Sequence, residues 1–313
     1  MNPRFKWLLK GAVACGLLGW LLARADLVAL WRLLSSQAPI GILAAIALQW
    51  FGIVVATAKW WLLLPAQSFG PLFRLNMAAQ FYSLVIPGQV GAEAFKAYQL
   101  GRGRADAQAI AASVLFDKLT CLIALLVLGV GGASMTNLPV GDAARLSLVG
   151  LLVVGFGVLV GLRFEALSLF VEGRLTHFGQ RFPKFEQLSS QMVLFVNAWC
   201  AYTRQPVALW GSLAVGLVQE AIYISIVVVL ARSLGLDIPI LEWCWIFALV
   251  SMAAVLPISL AGVGVREGAF VGILAAFAIP VEQALAVSLS IFALHLLLGL
   301  IGGCLEFVRL SRK

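Results

Sequence analysis

The chain has 313 residues, 62% of them hydrophobic and 12% charged, with a formal net charge of +8. Its mean hydropathy is +1.01, whereas a soluble domain is usually under half apolar and about a quarter charged. This excludes an ordinary cytosolic enzyme, a nucleic-acid binder and a disordered chain, and it implies an all-α, polytopic membrane protein whose lysines and arginines gather on one membrane face.

A spanning helix needs about 20 apolar residues. Six stretches are predicted to span: 7–23, 39–61, 109–133, 146–162, 206–231 and 283–307. The first follows a basic start and ends at Ala23-Arg24-Ala25, the form of a signal-cleavage site. It is nevertheless expected to stay, because the repeat described below needs it. After the second span, residues 72–101 read differently. Their apolar run stops at Pro87-Gly88, turns through a glycine-rich tip and resumes as a short helix. Proline and glycine stop helices, and a helix stopped at membrane depth must lie inside protein or line a cavity. The segment therefore reads as a re-entrant helix pair. Residues 242–279 repeat the pattern, with the stop at Pro257. Between them, residues 163–205 carry Phe164, Leu167, Val171, Leu175 and Phe178 at helical spacing, with Arg174, Arg181 and Lys184 interleaved. This is expected to be an amphipathic helical connector, bent at Pro183 and lying on the cytoplasmic interface.

Positive charge sets the orientation. With the amino terminus inside, sixteen lysines and arginines, Lys59 among them, fall on cytoplasmic segments. Arg24, Arg32, Arg145 and Arg232 fall on the other face. The asymmetry holds only if neither broken segment crosses, and it places both termini on the cytoplasmic side of the inner membrane.

The broken segments resemble each other. Pro87-Gly-Gln-Val-Gly-Ala-Glu93-Ala-Phe95 is answered by Pro257, Gly262-Val-Gly264-Val-Arg266-Glu267-Gly-Ala-Phe270, and Gln108–Ser113 by Gln283–Ser288. Each half, 1–145 and 146–313, then reads as span, span, re-entrant pair, span. Three spans per half invert the second copy, an arrangement that places a substrate site near the bilayer midplane.

Charges at membrane depth cost roughly 2.5–3.5 kcal/mol each and need a reason. Glu93, Arg266 and Glu267 sit at the tips, Asp117 and Lys118 in the third span, and Glu220 in the fifth. Gly88, Gly91, Gly262 and Gly264 let the chain bend and bare its N–H groups. The helix starts that follow suit a phosphate, with Arg266 as a planar fork and Lys96 as a second cation. The helix dipole alone also accounts for acids in a first turn such as Glu93 and Glu267, and Asp117 and Lys118 read equally well as a structural pair or as part of the site. Adjacent residues on a helix point apart, so the two are not expected to pair with each other. Four carboxylates against Arg266 and Lys118 leave the centre at −2 if all ionise. A carboxylate kept from water holds its proton more firmly, so proton movement is expected to accompany substrate movement.

No nucleotide-binding, dinucleotide-binding or nucleophile-elbow motif is present. His177 and His295 stand apart, and the five cysteines are scattered. No catalytic residue, cofactor or metal is expected.

At its two tips the chain resembles the lysylphosphatidylglycerol synthase transmembrane-region family, also described as flippase-like domain proteins. Pro87-Gly88-Gln-Val-Gly91-Ala92-Glu93-Ala-Phe-Lys96 is similar to the first family pattern, P-G-x-x-G-G-D-x-x-R. Pro257-Ile-Ser-Leu-Ala261-Gly262-Val-Gly264-Val-Arg266-Glu267 is similar to the second, P-x-x-x-G-G-x-G-x-R-E. Glu93 stands for the usual Asp and Lys96 for the usual Arg, Ala92 and Ala261 replace glycines, and Asp117-Lys118 stands where Glu-Arg is common. The resemblance implies lipid translocation across the cytoplasmic membrane in cell-envelope biogenesis. The chain ends at Lys313, soon after the last span, so the synthase activity of fused members is not expected.

Three readings follow. The first is a flippase for a phosphate-bearing lipid, either a phospholipid or a polyprenyl-phosphate-linked sugar. The second is an integral-membrane glycosyltransferase or its accessory subunit, for which the outer loops, 24–38, 134–145 and 232–241, are short. The third is a scaffold that docks envelope-biosynthesis proteins on 163–205. None involves nucleic acid.

Overall fold

The computed structural model describes all residues except 1–18, 24, 87–90, 137, 162, 183–185, 256–262 and 312–313. Its described residues form helices and connecting turns, without strands. Residues 19–23 are helical and are labelled α1. There follow α2 (Leu27–Ser35), α3 (Pro39–Leu63), α4 (Phe69–Val85), α5 (Gly91–Gly101), α6 (Ala107–Met135), α7 (Asp142–Gly161), α8 (Glu165–Arg181), α9 (Glu186–Arg204), α10 (Pro206–Ser233), α11 (Ile240–Val255), α12 (Val265–Ala275) and α13 (Val281–Ser311).

Among the described residues five helices, α3, α6, α7, α10 and α13, are long and apolar enough to cross a membrane. They coincide with five of the predicted spans, and the chain is a multi-pass membrane protein. Only residues 19–23 of the first predicted span, 7–23, are described, and Arg24 of the cleavage-site pattern lies outside the described residues. The starts of the long helices are written locally. Pro39 and Pro206 occupy the first turn of α3 and α10, where proline loses no hydrogen bond. By contrast α5 and α12 have 11 residues each. Such a helix rises roughly 16 Å, about half the thickness of a hydrocarbon layer, so neither crosses alone.

The halves interlock crosswise. α3 packs along α10, α4 along α13, and α11 along α6. Glycines let backbones touch at two of these crossings. A Cβ at Gly302 of α13 would collide with the Met77 carbonyl of α4, and one at Gly132 of α6 with the Leu241 carbonyl of α11. Close approach through small residues is how helices associate where lipid removes the hydrophobic drive. Buried polar side chains add links: Trp60 Nε1 donates to Ser113 Oγ at 3.1 Å, and Asn76 Nδ2 to Thr57 Oγ1 at 3.0 Å. Within the short pairs, Tyr82 of α4 stacks on Phe95 of α5 at 3.8 Å, and Trp245 of α11 stacks on Phe277, just past α12, at 5.9 Å.

Two segments differ from expectation. The connector 163–205 is two helices packed on each other. α9 is also docked on α6, with Trp199 buried edge-on against Phe116 at 5.3 Å. Periodicity shows that a stripe is apolar, not which neighbour claims it. Residues 25–38, predicted as an outer loop, contain α2, whose start is capped by Asp26 Oδ1 accepting from the N–H groups of Val28 and Ala29.

Candidate functional site

In α6 the neighbours Asp117 and Lys118 point apart, as expected of adjacent helical residues. Asp117 faces α3 and α5: Lys59 Nζ lies 3.1 Å from Oδ1, and Lys96 Nζ lies 3.9 Å from Oδ2. Lys118 turns the other way, to Glu93 Oε1 at 3.6 Å. Lys59 is fully buried. Its ammonium donates to the Asp117 carbonyl at 2.6 Å and to Cys121 Sγ at 2.9 Å, so its approach to the carboxylate is an ion pair beside two directed hydrogen bonds. Gly216 of α10 makes room for it, since a Cβ there would sit 3.4 Å from Lys59 Cε and from the Thr120 carbonyl. Lys96, also buried, lies 5.0 Å from the centre of the Trp60 ring, a cation–π contact.

In the second half the chain enters α12 at Gly264, whose φ of +85° lies in the left-handed region that favours glycine. Glu267 Oε2 accepts the Gly264 N–H at 2.6 Å, while Oε1 accepts from Arg266 Nη2 at 2.8 Å and from the Ser288 hydroxyl at 3.0 Å. Arg266 Nε donates to Ser288 Oγ at 3.2 Å, and the guanidinium lies 5.5 Å from the Phe292 ring. Glu267 is 1% exposed, and its lone pairs are committed to the helix start and to Arg266. It holds Arg266 in place from behind.

Both halves face one cavity of about 320 Å³. Its walls include Glu93 and Lys96 of α5, Asp117 and Lys118 of α6, Glu220 of α10 and Arg266 of α12. Glu267 is not among the lining residues. Gly91 starts α5 against Ile86, whose Cβ would be 2.6 Å from a Cβ at that position. Gly88 and Gly262, together with Pro87 and Pro257, lie outside the described residues. Among the described residues no cation lies within 4.0 Å of Glu220, although Lys118 and Lys59 both act on it. The buried Oε2 of Glu93 and Oε1 of Gln219 lack a hydrogen-bond partner there.

Sequence reasoning missed Lys59, assigning it to a cytoplasmic surface. Its place between α3, α6 and α10 moves it out of the cytoplasmic tally. Lys59 and Lys96, neither of which entered the sequence count of central charge, together correct it: Lys59, Lys96, Lys118 and Arg266 match Asp117, Glu93, Glu220 and Glu267, so the balance is zero rather than −2. The available signal was the cost of any lysine within an apolar helix. Trp60 and Trp61 beside it imitate an interfacial belt and hid that signal.

The family described as "Lysylphosphatidylglycerol synthase TM region" matches residues 7–303. A curated relative, the UPF0104 membrane protein of Methanothermobacter thermautotrophicus, is 22% identical over 300 residues, covering 88% of this chain and 84% of its own length. No solved structure matches the chain significantly.

Proposed function

We propose that this chain, which belongs to the lysylphosphatidylglycerol synthase TM-region family, moves a phosphate-bearing lipid across the inner membrane by way of the central cavity, as a transporter rather than an enzyme, in cell-envelope biogenesis. The observation that carries the reading is the convergence of charged side chains from both halves of the chain on one cavity inside a multi-pass membrane protein. A cavity balanced in charge admits an anionic headgroup more readily than one at −2, and removes the arithmetic that called for proton uptake by the whole cluster. Arg266, held by Glu267 and Ser288, and Lys118, the more exposed partner of its ion pair, are the cations that meet the phosphate. Gly91 and Gly264 open the two short helices toward it.

In this reading α4–α5 and α11–α12 are re-entrant pairs of an inverted repeat, entered from opposite sides. The short lengths of α5 and α12 and the crosswise packing support it. Both termini are cytoplasmic, a reading that still has fourteen cytoplasmic basic residues against four once the buried Lys59 and Lys96 are removed. Proton movement attaches to Glu220, the cavity carboxylate without a cation within 4.0 Å among the described residues.

The test is the lipid retained on purification. Wild type is expected to keep a phospholipid or polyprenyl phosphate, and Arg266→Ala to lose most of it. Retention unchanged in a variant altered at Glu93, Glu220 and Arg266 together refutes the site.

A further inference from the structure

A phosphate cavity does not by itself distinguish a lipid from a water-soluble phosphate, because both carry the same anionic group. What separates them is a hydrocarbon chain, and a chain needs apolar space contiguous with the cavity. The structure contains such a space. A smaller slot of about 90 Å³ is lined by Gln49 of α3, Tyr223, Ile226 and Val227 of α10, Phe247 of α11, and Ile291, Leu294 and His295 of α13. Tyr223, Phe247, Ile291 and His295 also line the charged cavity, so the two spaces meet at these side chains. None of the ion-paired residues reaches the slot.

The slot falls where the packing is slack on one side only. On one side α6 of the first half is drawn tightly onto α10 of the second: a Cβ at Gly216 would lie 3.3 Å from Ala124 Cβ and 3.4 Å from the Thr120 carbonyl. Under the repeat the corresponding pair is α13 and α3, and these barely meet. At the end of the seam a hydrogen bond from Gln37 Nε2 to Ser290 Oγ, 2.8 Å, ties the turn before α3 to α13. Farther along, Gln49 and Leu294 flank the slot. We propose that this seam between α3 and α13 is a one-sided lateral portal, and that the slot seats the methylenes nearest the phosphate of a lipid substrate while its headgroup occupies the charged cavity. The proposal rests on the transport reading and adds to it the route of the chain and the contact by which a lipid is held more tightly than a soluble phosphate.

The test uses the full chain in nanodiscs with two probes. One is phosphatidylglycerol carrying a diazirine near the carboxyl end of an acyl chain. The other is glycerol phosphate, which has the anion without the chain, read by its protection of Lys118 from an amine reagent. In wild type, photolabel is expected on residues 223–227 and 291–295. Val227→Phe, which fills the slot, is expected to lower lipid retention at least tenfold and to leave protection by glycerol phosphate unchanged. Labelling needs no variant, so it stands even if Val227→Phe misfolds. Label confined to the outer faces of α7 or α8, with Lys118 still protected, overturns the portal alone. Wild type that binds neither probe overturns the transport reading and the portal with it.

Discussion

Lys59 is the residue on which the chemistry of the centre turns. It is fully buried, and it contacts Asp117 through both side chain and backbone. Removing one partner of a buried ion pair typically costs about 3–5 kcal/mol, because the other charge is stranded. Lys59→Met is therefore expected to lose about 3 kcal/mol in detergent unfolding, the low end of that range because Lys96 remains near Asp117. Adding Asp117→Asn should restore part of the loss, since a neutral side chain needs no counter-charge. Glu220 is predicted to behave differently. Glu220→Gln should leave the fold and lipid binding in place and abolish any response of transport to an imposed pH gradient, measured in vesicles. A gradient response that survives this change assigns the proton elsewhere. At this scale one rule, the cost of charge in an apolar segment, pointed to Glu93, Asp117, Lys118, Glu220, Arg266 and Glu267 in the sequence, while Lys96 was read only as a second cation beyond Glu93. It did not reveal who pairs with whom. The placement of Glu267 follows from the same principle that explains acids in a first turn: its carboxylate accepts the Gly264 N–H and neutralises its neighbour, and so is turned away from the cavity.

Among elements, the long helices were legible because twenty apolar residues have few other uses. α3, α6, α7, α10 and α13 lie where composition alone put them. The break in 163–205 was legible as a bend. Its folding into α8 against α9 was not, because the docking of Trp199 on Phe116 depends on a helix some eighty residues earlier in the chain. α2 left a trace in Asp26, a residue suited to capping, but nine residues are too few for periodicity to stand out. The crossings of α13 with α4 and of α6 with α11 depend on glycines that look like scattered small residues in the sequence. Gly302→Leu drives a side chain into the Met77 carbonyl and is expected to cost about 3 kcal/mol, the upper end for overpacking. Gly150→Leu on α7, where an added Cβ meets nothing within 4 Å, is expected to change the unfolding midpoint little. Equal losses from both would mean that helix propensity, not the crossing, sets the cost.

For the whole molecule, the crosswise packing is more than a means of stability. It brings a short helix from each half, α5 and α12, to one cavity, so side chains some 170 residues apart share one electrostatic environment. The similarity of the two tips in sequence anticipated that meeting. The asymmetry between the tight α6–α10 contact, where Gly216 meets Ala124, and the slack α3–α13 seam was not read from the sequence, where Gly216 is one small residue among many. The central claim is that the charged cavity is the path of a lipid phosphate. Its most direct test is the rate at which labelled phosphatidylglycerol changes leaflet in proteoliposomes containing equal amounts of folded wild type or Lys118→Ala/Arg266→Ala. The account predicts a fall of at least tenfold in the double variant; a rate equal to that of wild type would contradict it.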